Sequence, residues 1–222
     1  MKWSTGIGSR SAGWLLIVAM FAAATPAYAE IYGFTAITND SDMDVMIGET
    51  QLFLEVLPGT VPTRVRFDFL NLGPEASSIC DVYFDDGSLL GIASIINSPG
   101  VSFSSPAKPA NLPAGASINP PFVTTEEFSA DSDPPVQPNG VNPGEVVSIV
   151  FDLQAGRDYA DVLSDLASAD LRVGIHVQGF ADGGSESFIN NPRYVPAPST
   201  LLLCALGSGL VAWVRRRQLL NA

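Results

Sequence analysis

Asp40, Asp42 and Asp44 alternate along the chain as Asp-x-Asp-x-Asp. Read as a loop, this spacing could gather several hard oxygen donors, the chemistry a calcium ion takes. The stretch is not an EF-hand: Val45 stands where the loop glycine belongs, and Gln51 where the bidentate glutamate belongs. Further carboxylates fall in expected turns at Asp85-Asp86, at Asp131 with Asp133, and at Asp182. The competing reading for all of them is turn chemistry, since aspartate hydrogen-bonds its own backbone. Two carboxylates facing each other across a cleft, roughly 5–10 Å apart, would instead suit glycoside hydrolysis. The sequence singles out no such pair. His176 is the only histidine, so it cannot build a histidine-rich zinc site. No Gly-x-Ser-x-Gly elbow accompanies it, and it reads as a surface or hydrogen-bonded structural residue. Cys80 lies in an expected strand and reads as a small buried hydrophobe. Cys204 lies in an apolar block near the C-terminus, so no intramolecular disulfide is expected. There is no phosphate loop and no dinucleotide fingerprint. No catalytic residue is assigned. Calcium on Asp40, Asp42 and Asp44 is the one cofactor the pattern admits.

These side chains need elements to position them, and the periodicity is mostly that of short strands. Gln51 to Val56 is the first strand expected. Thr63 to Leu70 alternates cleanly, with Val65, Phe67 and Phe69 on one face and Arg64, Arg66 and Asp68 on the other. Ile79 to Phe84 and Leu89 to Ile96 follow, each ended by turn residues. Glu145 to Leu153 turns Val147, Ile149, Phe151 and Leu153 one way, and Leu171 to Gln178 does the same with Leu171, Val173, Ile175 and Val177. Phe188 and Ile189 add a last edge strand. Asp158 to Ala169 spaces Tyr159, Val162, Leu163 and Leu166 at helical intervals and predicts one short helix covering an end of the domain. Residues 98–144 hold 10 of the 17 prolines; short edge strands are expected there at Val101 to Ser104 and Phe122 to Phe128. Ala181 to Ser187 reads as a polar hairpin turn. The fold class is all-β: an antiparallel β-sandwich or jelly-roll-like domain with one short helix. In this register, truncating Phe67 or Ile149 to alanine should cost roughly 2–5 kcal/mol. Truncating the outward Arg66 should cost well under about 1 kcal/mol.

Composition bounds the rest. The chain has 222 residues, 46% hydrophobic and 15% charged, which excludes a coiled coil, a collagen-like repeat and a disordered acidic tail. All 23 acidic residues lie within residues 30–194, against six Lys or Arg, a net charge of −17 there. Such a body is repelled by nucleic acid and by anionic lipid. All three Trp residues lie outside it. That removes a favoured sugar-stacking platform, though tyrosines such as Tyr32, Tyr83 and Tyr159 remain.

The two ends read as addresses. Lys2 and Arg10 precede the apolar run Trp14 to Ala24, and Ala27-Tyr28-Ala29 is a small-x-small cleavage site. This predicts a signal peptide over residues 1–29, cut after Ala29 by signal peptidase. At the other end Val195-Pro196-Ala197-Pro198 precedes the apolar run Thr200 to Val214, and Arg215, Arg216 and Arg217 follow it. An arginine cluster just past an apolar helix stays on the cytoplasmic side. Both ends therefore leave residues 30–194 outside. Residues 195–218 resemble the PEP-CTERM sorting signal of Gram-negative bacteria, with Ala197 where that family usually has Glu. The resemblance implies an exosortase-like transpeptidase as a partner, with cleavage near the prolines. It also implies transient inner-membrane attachment through the C-terminal helix, and a destination at the cell surface or outside the cell, where extracellular polysaccharide is made. Three segments are thus expected: signal peptide 1–29, β-sandwich domain 30–194 and sorting signal 195–218. The leading expectation is an exported, non-enzymatic envelope or matrix protein. The alternatives are a polysaccharide-active enzyme and a calcium-stabilised carbohydrate-binding module on a jelly-roll scaffold.

Overall fold

The computed structural model describes residues 29–195. The elements run β1 (Glu30–Ala36), α1 (Asp42–Gln51), β2 (Leu52–Pro58), β3 (Arg64–Asn71), β4 (Ser78–Asp85), β5 (Leu89–Asn97) and β6 (Phe103–Ser104). They continue with β7 (Ser129–Ser132), the single turn α2 (Val136–Asn139), β8 (Val146–Leu153), α3 (Tyr159–Ser168), β9 (Arg172–Gln178) and β10 (Ser185–Val195). Every strand pairing is antiparallel, and the strands form one sheet in the order β5-β8-β3-β2-β1-β10-β9-β4-β7-β6. The all-β, antiparallel expectation therefore holds. The architecture differs from a two-sheet sandwich: one continuous sheet curls until it nearly closes as a barrel. Its two edges meet through one side chain. Asn97 at the end of β5 donates Nδ2 to the Phe103 carbonyl of β6 at 3.3 Å and accepts from the Phe103 N–H at 3.0 Å.

Alternation fills the inside as expected. Val65, Phe67, Phe69, Val147, Ile149, Phe151, Val173, Ile175 and Val177 are all fully buried in one core. Phe84 of β4 crosses the interior and meets the opposite wall. Its ring lies 4.6 Å from that of Phe151 and 5.1 Å from that of Phe67, both edge-on, the geometry aromatic quadrupoles favour.

A helix closes each end. At one end α3 buries Val162 and Leu166, and the Tyr159 hydroxyl donates to the Val56 carbonyl at 2.9 Å. Asp158 caps it with a reciprocal capping box to Asp161, which is why the sequence signal there is strong. At the other end α1 is a helix the periodicity does not anticipate. Ser41 caps it, but Asp42 to Gln51 carries no clear apolar stripe. Tertiary contact decides it instead. A Cβ on Gly48 would lie 2.2 Å from Cζ of Phe188, so only glycine lets this helix settle on β10.

Two more expectations are corrected, and one strand is new. β1 carries no clear alternation signal, because Gly33 interrupts a short run. Phe188 and Ile189 do not form an edge: β10 spans Ser185–Val195 and lies mid-sheet between β1 and β9. Phe122 to Phe128 forms no strand; the strand next to β4 is β7, one residue further on. Val101 to Ser104 does contribute an edge, as β6. The proline-rich stretch folds as a strap over the outer face of β4 and β9, where Tyr83, Ala107, Leu112 and Phe122 make a second apolar cluster.

The outward face of β3 also holds a surprise. Asp68 is only 7% exposed, and its Oδ2 accepts from Arg66 Nη2 at 2.9 Å. Arg66→Ala would strand a buried carboxylate whose Oδ1 already lacks a protein partner. We expect the change to cost about 1–3 kcal/mol, more than an ordinary surface arginine. Urea titration of the variant checks this, and a cost well below that range would show Asp68 to be adequately solvated.

Candidate functional site

The outer face of the sheet brings together three titratable side chains that are far apart in sequence. On β9, β4 and β7, His176 pairs with Asp81 and Asp81 pairs with Asp131 in adjacent register positions. A bulge makes this row. Ile79 opposes Val177 and Asp81 opposes His176, so Cys80 is the unmatched residue. Without the extra residue, Cys80 rather than Asp81 would stand opposite His176. Sequence periodicity carries no signal of such a shift, which is why the Asp81–His176 pair was not legible there.

His176 Nδ1 lies 2.9 Å from Asp81 Oδ2. In the neutral ring this places the proton on Nδ1 and leaves Nε2 an acceptor. The pair lines a cavity of 170 Å³ with Lys108, Asp131, Ser132 and Gln178. A neighbouring hollow of 440 Å³ shares Lys108, Asp131 and Ser132 and extends to Asp133. Burial pushes the Asp131 carboxyl above the ordinary range; the Lys108 N–H works against this, and the charges of Asp81 and Asp133 add to it. Asp133 goes the other way, because the Ser102 and Ser104 hydroxyls donate to it. Asp131, which burial inclines to hold a proton, thus shares its cavity with the Asp81–His176 pair, the residue types of general acid–base chemistry.

Cys80 is fully buried, as expected, and is a free thiol among the described residues. Burial pushes its thiol up to about 11, so almost no thiolate exists at neutral pH. In a Cys204→Ser chain, Cys80 should stay unmodified by Ellman's reagent in buffer and react fully in denaturant. Rapid labelling of the folded chain would contradict this burial.

The expected calcium residues are not brought together. Asp42 and Asp44 lie in the first turn of α1 rather than in a loop, and a spacing of two turns side chains to opposite sides of a helix. Asp40 and Asp42 are exposed, and Asn39 Nδ2 donates to Asp42 at 3.0 Å. Asp44 alone turns inward, to 3% exposure. There it meets Asp182 and Glu186, residues from the other half of the chain, and burial first, then these charges, push its carboxyl up. Glu186 is itself buried but well held. It accepts from the Asp40 N–H at 2.6 Å, from the Ser41 N–H at 3.0 Å and from the Thr38 hydroxyl. Among the described residues no group of three or more His, Cys, Asp or Glu side chains is arranged to hold a metal ion.

Ala29 and Val195 stand at the two limits of the described residues. Ala27, Pro196, Ala197, Pro198, Arg215, Arg216 and Arg217 lie outside them. Among the described residues no helix is long and apolar enough to cross a membrane. Comparison with protein-family models, with curated proteins and with solved structures finds no match for this chain.

Proposed function

We propose that this chain is an exported, non-enzymatic protein of the cell envelope or extracellular matrix, delivered by a signal peptide and a PEP-CTERM-like tail. One observation carries the reading. β1 begins at Glu30, the first residue after the expected signal-peptide cut, and β10 reaches Val195, the first residue of the proline motif. The two strands pair, with Ile31 opposite Val195. Both addresses therefore leave the domain side by side at one end. That suits a domain whose leader and tail engage the same membrane. Cuts at either site would spare the sheet. The net charge of −17 on residues 30–194 keeps such a domain off anionic lipid once released. Intact-mass spectrometry of membrane and medium fractions tests the reading. The expected product starts at Glu30 and ends between Val195 and Ser199. Recovery only of chains that retain Arg215–Arg217 would leave a tail anchor in place of a sorting signal.

The groove favours a second reading, a polysaccharide-active hydrolase, because Asp81, Asp131 and His176 line one cavity. Its test is release of reducing ends from extracellular polysaccharide. Activity that disappears in Asp131→Asn, with the fold intact, would displace the non-enzymatic reading.

A further inference from the structure

The first turn of α1 departs from the usual pattern of helix capping. Ser41 is the N-cap and Asp44 stands three residues on, where an acid normally reaches back to the cap N–H. Here Glu186 of β10 already occupies the Ser41 N–H. Asp44 is thereby released from a capping role and turns into the protein. Its Oδ2 is buried and has no hydrogen-bond donor. What faces it is another acceptor, Asp182, in the turn between β9 and β10. The two carboxyls crowd over Gly184. A Cβ there would lie 2.4 Å from Asp44 Oδ2 and 3.1 Å from Asp182 Oδ1. Asp182 Oδ1 has its own donor, the Gly184 N–H at 2.9 Å.

Two ionised carboxylates cannot hydrogen-bond one another; a proton between them supplies the missing donor. A metal ion would need a third ligand, and Glu186 has both oxygens engaged by donors. The influences on Asp44 are burial, Asp182 and Glu186, with no cation among them, and residues 29–63 and 173–191 contain no Lys or Arg. The other acids near this end are Asp40 before the helix, Asp42 and Glu49 on it, and Glu186 on β10. Glu30, Tyr32 and Glu55 lie further along β1 and β2, which also pack on α1.

We propose that Asp44 and Asp182 share one proton, and that this proton fastens the N-terminal turn of α1 to the β9–β10 turn. Losing it sets two carboxylates against each other inside the protein and loosens this end of the barrel. The folded state holds the proton more tightly than the unfolded chain does. The fastening is therefore complete below the ordinary aspartate range and is lost as pH rises through the raised midpoint of Asp44.

Carboxyl-carbon NMR of the full chain, labelled at aspartate, tests this together with thermal melts across pH. Asp44 should titrate above the ordinary aspartate range. It should fall part of the way back in Asp182→Asn, because burial remains, and not move in Asp42→Asn. The wild-type melting temperature should drop as pH rises through that midpoint. Asp44→Asn, whose amide is a permanent donor, should melt higher than wild type at neutral pH and show no drop there. If Asp182→Asn does not fold, the wild-type titration decides: a shared proton gives two coupled steps at both carboxyl carbons. An Asp44 that titrates as an ordinary aspartate, or ignores Asp182→Asn, overturns the proposal. So does calcium, if it raises the melting temperature of wild type but not of Asp44→Asn, because the shared cation would then be a metal.

Discussion

Replacing Phe84 by alanine is expected to destabilise the domain by about 3–5 kcal/mol, a large share of the roughly 5–15 kcal/mol that holds a typical domain together. Phe84 is fully buried and touches Phe67, Phe69 and Phe151 edge-on at ring distances of 5.1, 6.0 and 4.6 Å. Phe67 and Phe69 stand on β3 and Phe151 on β8, while Phe84 belongs to the far wall. One side chain thus joins two walls of the barrel, and its loss opens a cavity that rigid strands cannot collapse around. The midpoint of guanidinium unfolding should fall with little change in slope. Leu90→Ala, on an edge strand and 62% exposed, should change stability by no more than about 0.5 kcal/mol. Similar losses from the two variants would mean that the interior is not packed as described.

Arg172→Ala is expected to cost about 3–5 kcal/mol, as removal of one partner from a desolvated ion pair does. The Arg172 side chain is 14% exposed and pairs with Asp85, itself 20% exposed. It also donates to the Pro120 and Pro121 carbonyls and lies 5.4 Å over the Phe122 ring. One guanidinium therefore ties the proline-rich strap to β4 and β9. Lysine should restore little, because a point charge cannot reach a carboxylate and two carbonyls while stacking on a ring. Two readouts are informative: the unfolding midpoint, and the rate at which a protease cuts residues 105–121. Arg64→Ala provides the contrast. Its pair with Asp152 is more than 40% exposed on both sides, and such pairs contribute about 0–1 kcal/mol. A strap that stays protected without Arg172 would show that the Tyr83, Leu112 and Phe122 cluster and the remaining hydrogen bonds, such as the Tyr83 hydroxyl to the Pro109 carbonyl, suffice to hold it.

The strap shows where reading the chain by local pattern stops. Its prolines identify the stretch, but Phe122 reads as the start of an edge strand rather than as an anchor, because the surface it covers is set by β4 and β9. Gly174 is part of that surface. A Cβ there would sit 2.6 Å from Leu112 Cδ2, a requirement visible only once the strap is in place. Arg172 likewise reads as an outward strand residue until Pro120 and Pro121 arrive above it.

Local pattern by itself determined the β class, the inward faces of β3, β8 and β9, and the helix α3. It did so because alternation and helical spacing act over a few residues, where the chain's own spacing sets which side chains share a face. The outward placement of His176 followed from the same alternation; Cys80 is buried on a strand with no alternation of burial, as the unmatched residue of its bulge. Tertiary structure alone decided the rest. It curled one sheet nearly into a barrel, because closure depends on pairings between distant strands. It made α1 a helix, because Ser41, Gly48, Phe188 and Glu186 meet only after β10 is in place. It separated Asp42 from Asp44 and joined Asp44 to Asp182, because a helical turn overrides the loop geometry that the Asp-x-Asp-x-Asp spacing suggests. It set Asp81 opposite His176, because one bulged residue shifts the register of β4 by one.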